Sequence, residues 1–110
     1  MKTLPKISVL INTFNRAALL PRSVGSVLGQ DYPNIELVII DDASTDNTEE
    51  VVKNFNSDCI RYIRNPENLG SKFGDRLMAK RFMYEYATGD YCVYLCDDDY
   101  WLPKDLLSRQ

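Results

Sequence analysis

Short aliphatic runs alternate along this chain with stretches whose apolar positions recur at helical spacing. Ile7-Ser8-Val9-Leu10-Ile11 is a compact, β-branched run stopped by Asn12-Thr13. Such residues fit a pleated, buried backbone, so the run predicts a strand. Leu20, Val24, Val27 and Leu28 then follow at the spacing of one helix face. Pro21 belongs in the first turn of that helix, where its missing N–H removes no bond. Asp31-Tyr32-Pro33-Asn34 reads as a turn. A second strand is predicted from Ile35 to Ile40, dominated by Leu37-Val38-Ile39-Ile40 and cut off at Asp41-Asp42. Ser44, Thr45 and Asp46 offer caps for a helix reaching about Phe55, with Glu49 placed to close a capping box on Asp46. A weaker third strand is predicted from Cys59 to Ile63, and a long helical stretch from about Ser71 to Tyr86. Gly89-Asp90 turns the chain into a fourth strand, Tyr91 to Leu95, which ends on Asp97-Asp98-Asp99.

The predicted order is β-α-β-α-β-α-β, with short connections, in a single domain over residues 1–110. Alternation of this kind favours an α/β fold: a mostly parallel sheet with helices on both faces. Right-handed crossovers place every strand's C-terminal end on one edge, where open α/β sheets bind their ligands.

Composition narrows the chemistry. The chain carries a formal net charge of -3 and no run of Lys or Arg, so no nucleic-acid partner is expected. No stretch approaches the ~20 apolar residues of a transmembrane segment, and no signal peptide is visible. A cytoplasmic location is expected, with the longer protein associated with the inner face of the membrane. There are 0 histidines, which removes the commonest general base and the commonest transition-metal ligand. Cys59, Cys92 and Cys96 are an odd count without zinc-type pairing and read as buried free thiols.

Three polar segments fall on the ligand edge together: Asn12 to Arg16, Asp41 to Ser44, and Asp97-Asp98-Asp99. Acids crowded on one edge repel one another unless a cation joins them. Mg²⁺ or Mn²⁺ suits oxygen ligands and bridges carboxylates to phosphates. Taken alone, Asp41-Asp42 is equally a solvated turn. The triple Asp is harder to read so, because Tyr94-Leu95 and Tyr100-Trp101-Leu102-Pro103 flank it with bulk. The first loop lacks the glycines of a dinucleotide turn and the lysine of a phosphate loop. Phosphate charge would then fall to the metal, with Arg16, Lys72, Arg76 and Lys80 as auxiliary candidates. Phe14 is either a core aromatic or a platform for a base.

Ile7 to Arg16 resembles the opening of family 2 glycosyltransferases of the GT-A fold. So do Ser26-Val27-Leu28 with Gln30-Asp31-Tyr32-Pro33, and Val38 to Asp46. Asn68-Leu69-Gly70, Ala87 to Tyr91 and Asp97 to Pro103 complete the series in order over nearly the whole chain.

The resemblance implies a Rossmann-like, nucleotide-sugar-binding half used in polysaccharide biosynthesis. Phe14 takes the position that stacks on the base, with Asn12 and Thr13 lining the same pocket. Asp42 matches the acid on the base edge, with Asp41 beside it. Asp97 and Asp98 match the acidic motif at the ribose and the metal-bound diphosphate. Asp98 is the expected direct ligand of Mn²⁺ or Mg²⁺, with Asp97 and Asp99 alongside. Arg16 and Arg76 are the basic residues expected near the nucleotide. The implied reaction is inverting transfer of a sugar from a nucleoside-diphosphate sugar to a saccharide, lipid-linked or other hydroxyl acceptor.

This sequence departs from the family in three places. Asn12 stands where Pro is usual, Cys96 stands where many members have a further Asp, and the span from Gly70 to Gly89 is longer. The acceptor site and catalytic base are expected beyond residue 110, which leaves a donor half truncated at its C-terminus and inactive alone. Self-association through apolar surface near Trp101 and Leu106 follows from that. Two rivals remain: a nucleotide-binding module without catalysis, and a phospho-receiver domain, which needs its acidic pair after the first strand.

Overall fold

The computed structural model of the chain describes residues 5–68 and 85–97. Its elements are β1 (Ile7–Thr13), α1 (Leu20–Leu28), β2 (Ile35–Asp41), α2 (Thr48–Lys53), β3 (Ile60–Arg64) and β4 (Tyr91–Cys96). Residues 85–86 are also helical; the rest of the predicted third helix lies outside the described residues. The four strands form one parallel sheet in the order β3-β2-β1-β4.

β1 and β2 are the inner strands, and their aliphatic runs are buried on both faces. On one face Val9, Ile11, Leu37 and Ile39 pack against Leu20, Val24 and Val27 of α1 and Val52 of α2. On the other, Leu10, Val38 and Ile40 pack with Ile63, Tyr86 and Tyr94. The strand order explains this division. Two right-handed crossovers that step the same way, β1 to β2 and β2 to β3, put α1 and α2 on the same side. Tyr86, in the described end of the connection from β3 to β4, packs on the opposite side.

Pro21 lies in the first turn of α1, as its missing N–H requires. Helix α2 begins later than the sequence pattern predicts, and the capping box on Asp46 does not form. Asp46 Oδ1 instead accepts from the Thr48 amide at 3.0 Å and from the Thr48 hydroxyl. Glu49, left without that partner, pairs with Lys53 one turn on at 2.8 Å. The thiols also differ from expectation: Cys59 is half-buried and Cys92 is exposed, both free. Cys92 pairs in register with Ser8 from an outer strand, and no neighbouring strand flanks β4 among the described residues.

Away from the ligand edge lies a buried carboxylate that periodicity does not predict. Glu36, 5% exposed, accepts from Ser8 Oγ at 2.7 Å, Thr88 Oγ1 at 3.0 Å and Arg61 Nη1 at 3.0 Å. The Thr88 amide adds a bond at 3.2 Å. Burial pushes the Glu36 carboxyl up, but these donors outweigh it and hold the group at about 2. Ser8 Oγ in turn accepts from the Gly89 amide at 2.8 Å. A side chain at Gly89 has no room: its Cβ would lie 2.7 Å from the Lys6 carbonyl and 2.8 Å from the Ser8 amide. The network thus docks the segment entering β4 onto the sheet.

Candidate functional site

Parallel register brings the strand ends level. Thr13 pairs with Asp41, Asp41 with Arg64, and Asn12 with Cys96. The loops after β1, β2 and β3 and the start of the acidic run therefore share one edge. Connections from β1 lead towards β2, while β4 lies on the other side of β1. The seam between β1 and β4 is thus the topological switch point, where α/β sheets open a ligand crevice.

Asp97 sits at that seam, half-buried. Its Oδ2 accepts from Thr13 Oγ1 at 3.0 Å, and its carbonyl accepts from Ser23 Oγ at 2.9 Å. Ser23 lies on the buried side of α1, so strand and helix together orient the first acid of the run. Beside Thr13, Oδ1 of Asn12 is buried without a hydrogen-bond partner among the described residues. Buried acceptors are almost always paired, so this atom marks a place for an incoming donor.

The adjacent acids Asp41, which ends β2, and Asp42 are separated by the strand's alternation. Asp41 is 0% exposed and lies on the α1 side of the sheet. Its Oδ1 accepts from the Ser44 amide at 2.9 Å; its Oδ2 accepts from the Tyr62 hydroxyl and from Arg64 Nη1 at 3.3 Å. Burial first, and then the Asp41 carboxylate, push the Tyr62 phenol above its ordinary range. Asp42 is 5% exposed; its amide extends the ladder to the Thr13 carbonyl at 2.9 Å, and its Oδ1 accepts from Asn65 Nδ2 at 2.8 Å.

Phe14 projects from the first loop with 42% of its surface exposed, which removes the core alternative. Arg16 is exposed, and its carbonyl accepts from the Leu19 and Leu20 amides at 3.0 and 2.9 Å, starting α1. Asn15, which the sequence pattern passes over, bonds across to Ser44, Thr45 and Asp46. Asp46 is held below the ordinary range: burial raises it, but bonds from Thr48 and Ala17 outweigh that.

Of the expected site residues, Asn12, Thr13, Phe14, Arg16, Asp41, Asp42 and Asp97 gather at this edge. Arg76, Asp98 and Asp99 lie outside the described residues, as do Lys72, Lys80, Trp101 and Leu106. Among the described residues no group of three acids or cysteines is gathered around a metal position. Asp97 contributes one hard oxygen donor at the seam, the donor type that suits Mg²⁺ or Mn²⁺. No helix among the described residues is long and apolar enough to cross a membrane.

An open parallel sheet with polar residues at its switch point defines a Rossmann-like α/β domain. The profile of glycosyl transferase family 2 matches residues 8–110. A relative from Campylobacter jejuni, GalNAc(5)-diNAcBac-PP-undecaprenol beta-1,3-glucosyltransferase, is 35% identical over 98 residues, 87% of this chain and 30% of its own length. S. aureus TarS matches in structure with a TM-score of 0.82 and 26% identity, over 94% of this chain and 30% of that one. The mannosyltransferase PcManGT from Pyrobaculum calidifontis, solved with GDP-Man and Mn²⁺, matches with a TM-score of 0.77 and 26% identity, over 94% and 30% respectively. The chain belongs to glycosyl transferase family 2, and it spans about a third of the length of these relatives.

Proposed function

We propose that residues 1–110 form the donor-binding half of a glycosyltransferase that takes a sugar from a nucleoside diphosphate. One observation carries this reading: the Thr13–Asp97 bond holds a carboxylate at the switch point of a parallel sheet. A solved structure of TarS with UDP, and that of PcManGT with GDP-Man and Mn²⁺, support it.

In this reading Phe14 stacks on the base, Asp42 accepts from its edge, and the unpaired Asn12 Oδ1 takes a further donor from the nucleotide. Arg16 and Arg76 meet the diphosphate. Asp41, already bonded by Ser44, Tyr62 and Arg64, braces the pocket from behind. Asp97 faces the ribose and leads into Asp98 and Asp99. A divalent cation, when bound, is held by Asp98 with Asp97 and Asp99, and neutralises charge on the departing diphosphate. The acceptor, a saccharide or lipid-linked hydroxyl, and the base that deprotonates it are assigned outside residues 1–110. Transfer with inversion needs that base within hydrogen-bond reach of the hydroxyl, so these residues alone transfer no sugar.

Calorimetric titration with UDP, GDP and ADP, in millimolar Mn²⁺ and again in EDTA, tests the proposal. Binding of at least one nucleotide, much weaker in EDTA, is the expected result. No binding of any of them overturns the donor reading; equal affinity in EDTA overturns the metal assignment alone.

A further inference from the structure

Asn15 has none of the roles above, yet it makes the densest set of contacts between the first two loops. Its backbone is left-handed, with φ 52°, a conformation that Asn tolerates better than most residues. That turn aims both its amide and its carboxamide at the loop after β2. The amide donates to Ser44 Oγ at 2.9 Å. Oδ1 accepts from the Thr45 amide at 2.7 Å, the Thr45 hydroxyl at 3.3 Å and the Asp46 amide at 3.3 Å. The Ala17 amide returns a bond to Asp46 Oδ2 at 3.2 Å.

The receiving loop is itself anchored. Its Ser44 amide donates to Asp41 Oδ1 at 2.9 Å, and its Ser44 carbonyl accepts from Arg64 Nη2 at 2.8 Å. Asn15 therefore fastens the first loop to a point held by the buried Asp41.

We propose that Asn15 is a positioning residue for the nucleobase: it fixes the first loop against the second, so that Phe14 and Asp42 hold their spacing before a ligand arrives. The inference rests on the reading that a nucleoside diphosphate binds at this edge. Phe14 is exposed and belongs to neither hydrophobic cluster of the sheet. Its place is set by its neighbours in the chain, and Asn15 is the neighbour that is tied down. Without the tie, the loop would be ordered only on binding, and that ordering costs affinity. The cost falls on ligands that carry a base and spares those that reach only the diphosphate position.

Two substitutions separate the acceptor from the backbone conformation. Asn15→Gly keeps access to positive φ and deletes the carboxamide, whereas Asn15→Asp keeps an acceptor oxygen at a tolerated φ. Each protein is titrated in Mn²⁺ with UDP and with inorganic pyrophosphate, and amide exchange at Thr45 and Asp46 is measured without ligand. Asn15→Gly is expected to weaken UDP about tenfold, leave pyrophosphate within about twofold, and speed exchange at both amides. Asn15→Asp is expected to restore UDP binding to within about threefold of wild type. Should Asn15→Gly fail to fold, Ser44→Ala removes the acceptor of the Asn15 amide and is expected to show the same selectivity, with about a threefold loss on UDP. Equal losses on both ligands, or no loss on UDP despite faster exchange, would overturn the positioning role while leaving the nucleotide reading in place. Failure of the wild type to bind UDP, GDP or ADP would overturn the nucleotide reading and this inference with it.

Discussion

Thr13 donates its hydroxyl to Asp97 at 3.0 Å across 84 positions of sequence, closing the seam between β1 and β4. Thr13→Val keeps the shape and deletes the donor. Loss of one part-buried bond to a carboxylate costs about 1–2 kcal/mol. UDP affinity in Mn²⁺ is expected to fall about fivefold, because the Asp97 carboxylate then loses the bond from β1 that orients it. Urea unfolding and calorimetry measure the two effects. Wild-type affinity in the variant would show that Asp97 is oriented without Thr13.

Glu36 makes the fold sensitive to acid. Its carboxyl ordinarily titrates at 4.5 and is held at about 2 in the folded chain. Between those values the unfolded chain binds more protons, so stability falls as pH drops through that window. The full contribution, on the order of 3 kcal/mol at about 1.4 kcal/mol per pH unit, is present above pH ~5. Glu36→Gln cannot ionise, so the stability gap between wild type and variant should close from pH 5 to pH 2. A gap that stays constant over that range contradicts the assignment.

The neighbours Asp41 and Asp42 are expected to fail differently. Asp41→Asn weakens the hold on Arg64 and Tyr62 inside the fold and should cost about 2–3 kcal/mol of stability. Asp42→Asn should cost less stability and weaken UDP about tenfold, through loss of an acceptor at the base. Thermal unfolding paired with titration separates them, and the reverse pattern would exchange their roles.

Gly89→Ala places a methyl against the Lys6 carbonyl and the Ser8 amide and hydroxyl, all within 2.8 Å. Both amide and carbonyl belong to backbone that cannot yield cheaply. A loss of about 1–3 kcal/mol is expected, seen as a lower Tm. An unchanged Tm would mean that the segment before β4 lifts from the sheet at no cost.

The strands were readable because their chemistry is local. Leu37-Val38-Ile39-Ile40 is apolar on both faces, as an inner parallel strand must be, and it appears as β2. The start of α2 was not, because Ser44, Thr45, Asp46 and Asn47 are all competent caps. The choice between them is made by Thr48 and Ala17, which occupy Asp46. Glu36 in a strand reads as a solvent-facing residue until Ser8, Thr88 and Arg61 converge on it from distant positions. The bond between Asn15 and Ser44 escaped notice for the same reason: it spans 29 positions. At the seam, Thr13 and Asp97 were both legible as candidates. Their mutual bond was not, since no hydrophobic pattern states that β4 returns to lie beside β1.

That return has a consequence for how the molecule comes into being. β1 meets β2 across 28 positions, as Ser8 and Glu36 do, but it meets β4 across 84. A loop three times as long adds roughly 1 kcal/mol of closure entropy. On a growing polypeptide, β1, β2 and β3 are all made before Asp97 is. The flank of β1 that receives β4 waits open through that interval, a bare row of amides and carbonyls able to pair with a neighbouring chain. Among the described strands the crevice is thus the last part of the sheet to exist, and the late closure that creates it covers the flank of β1 and passes the open edge outward to β4.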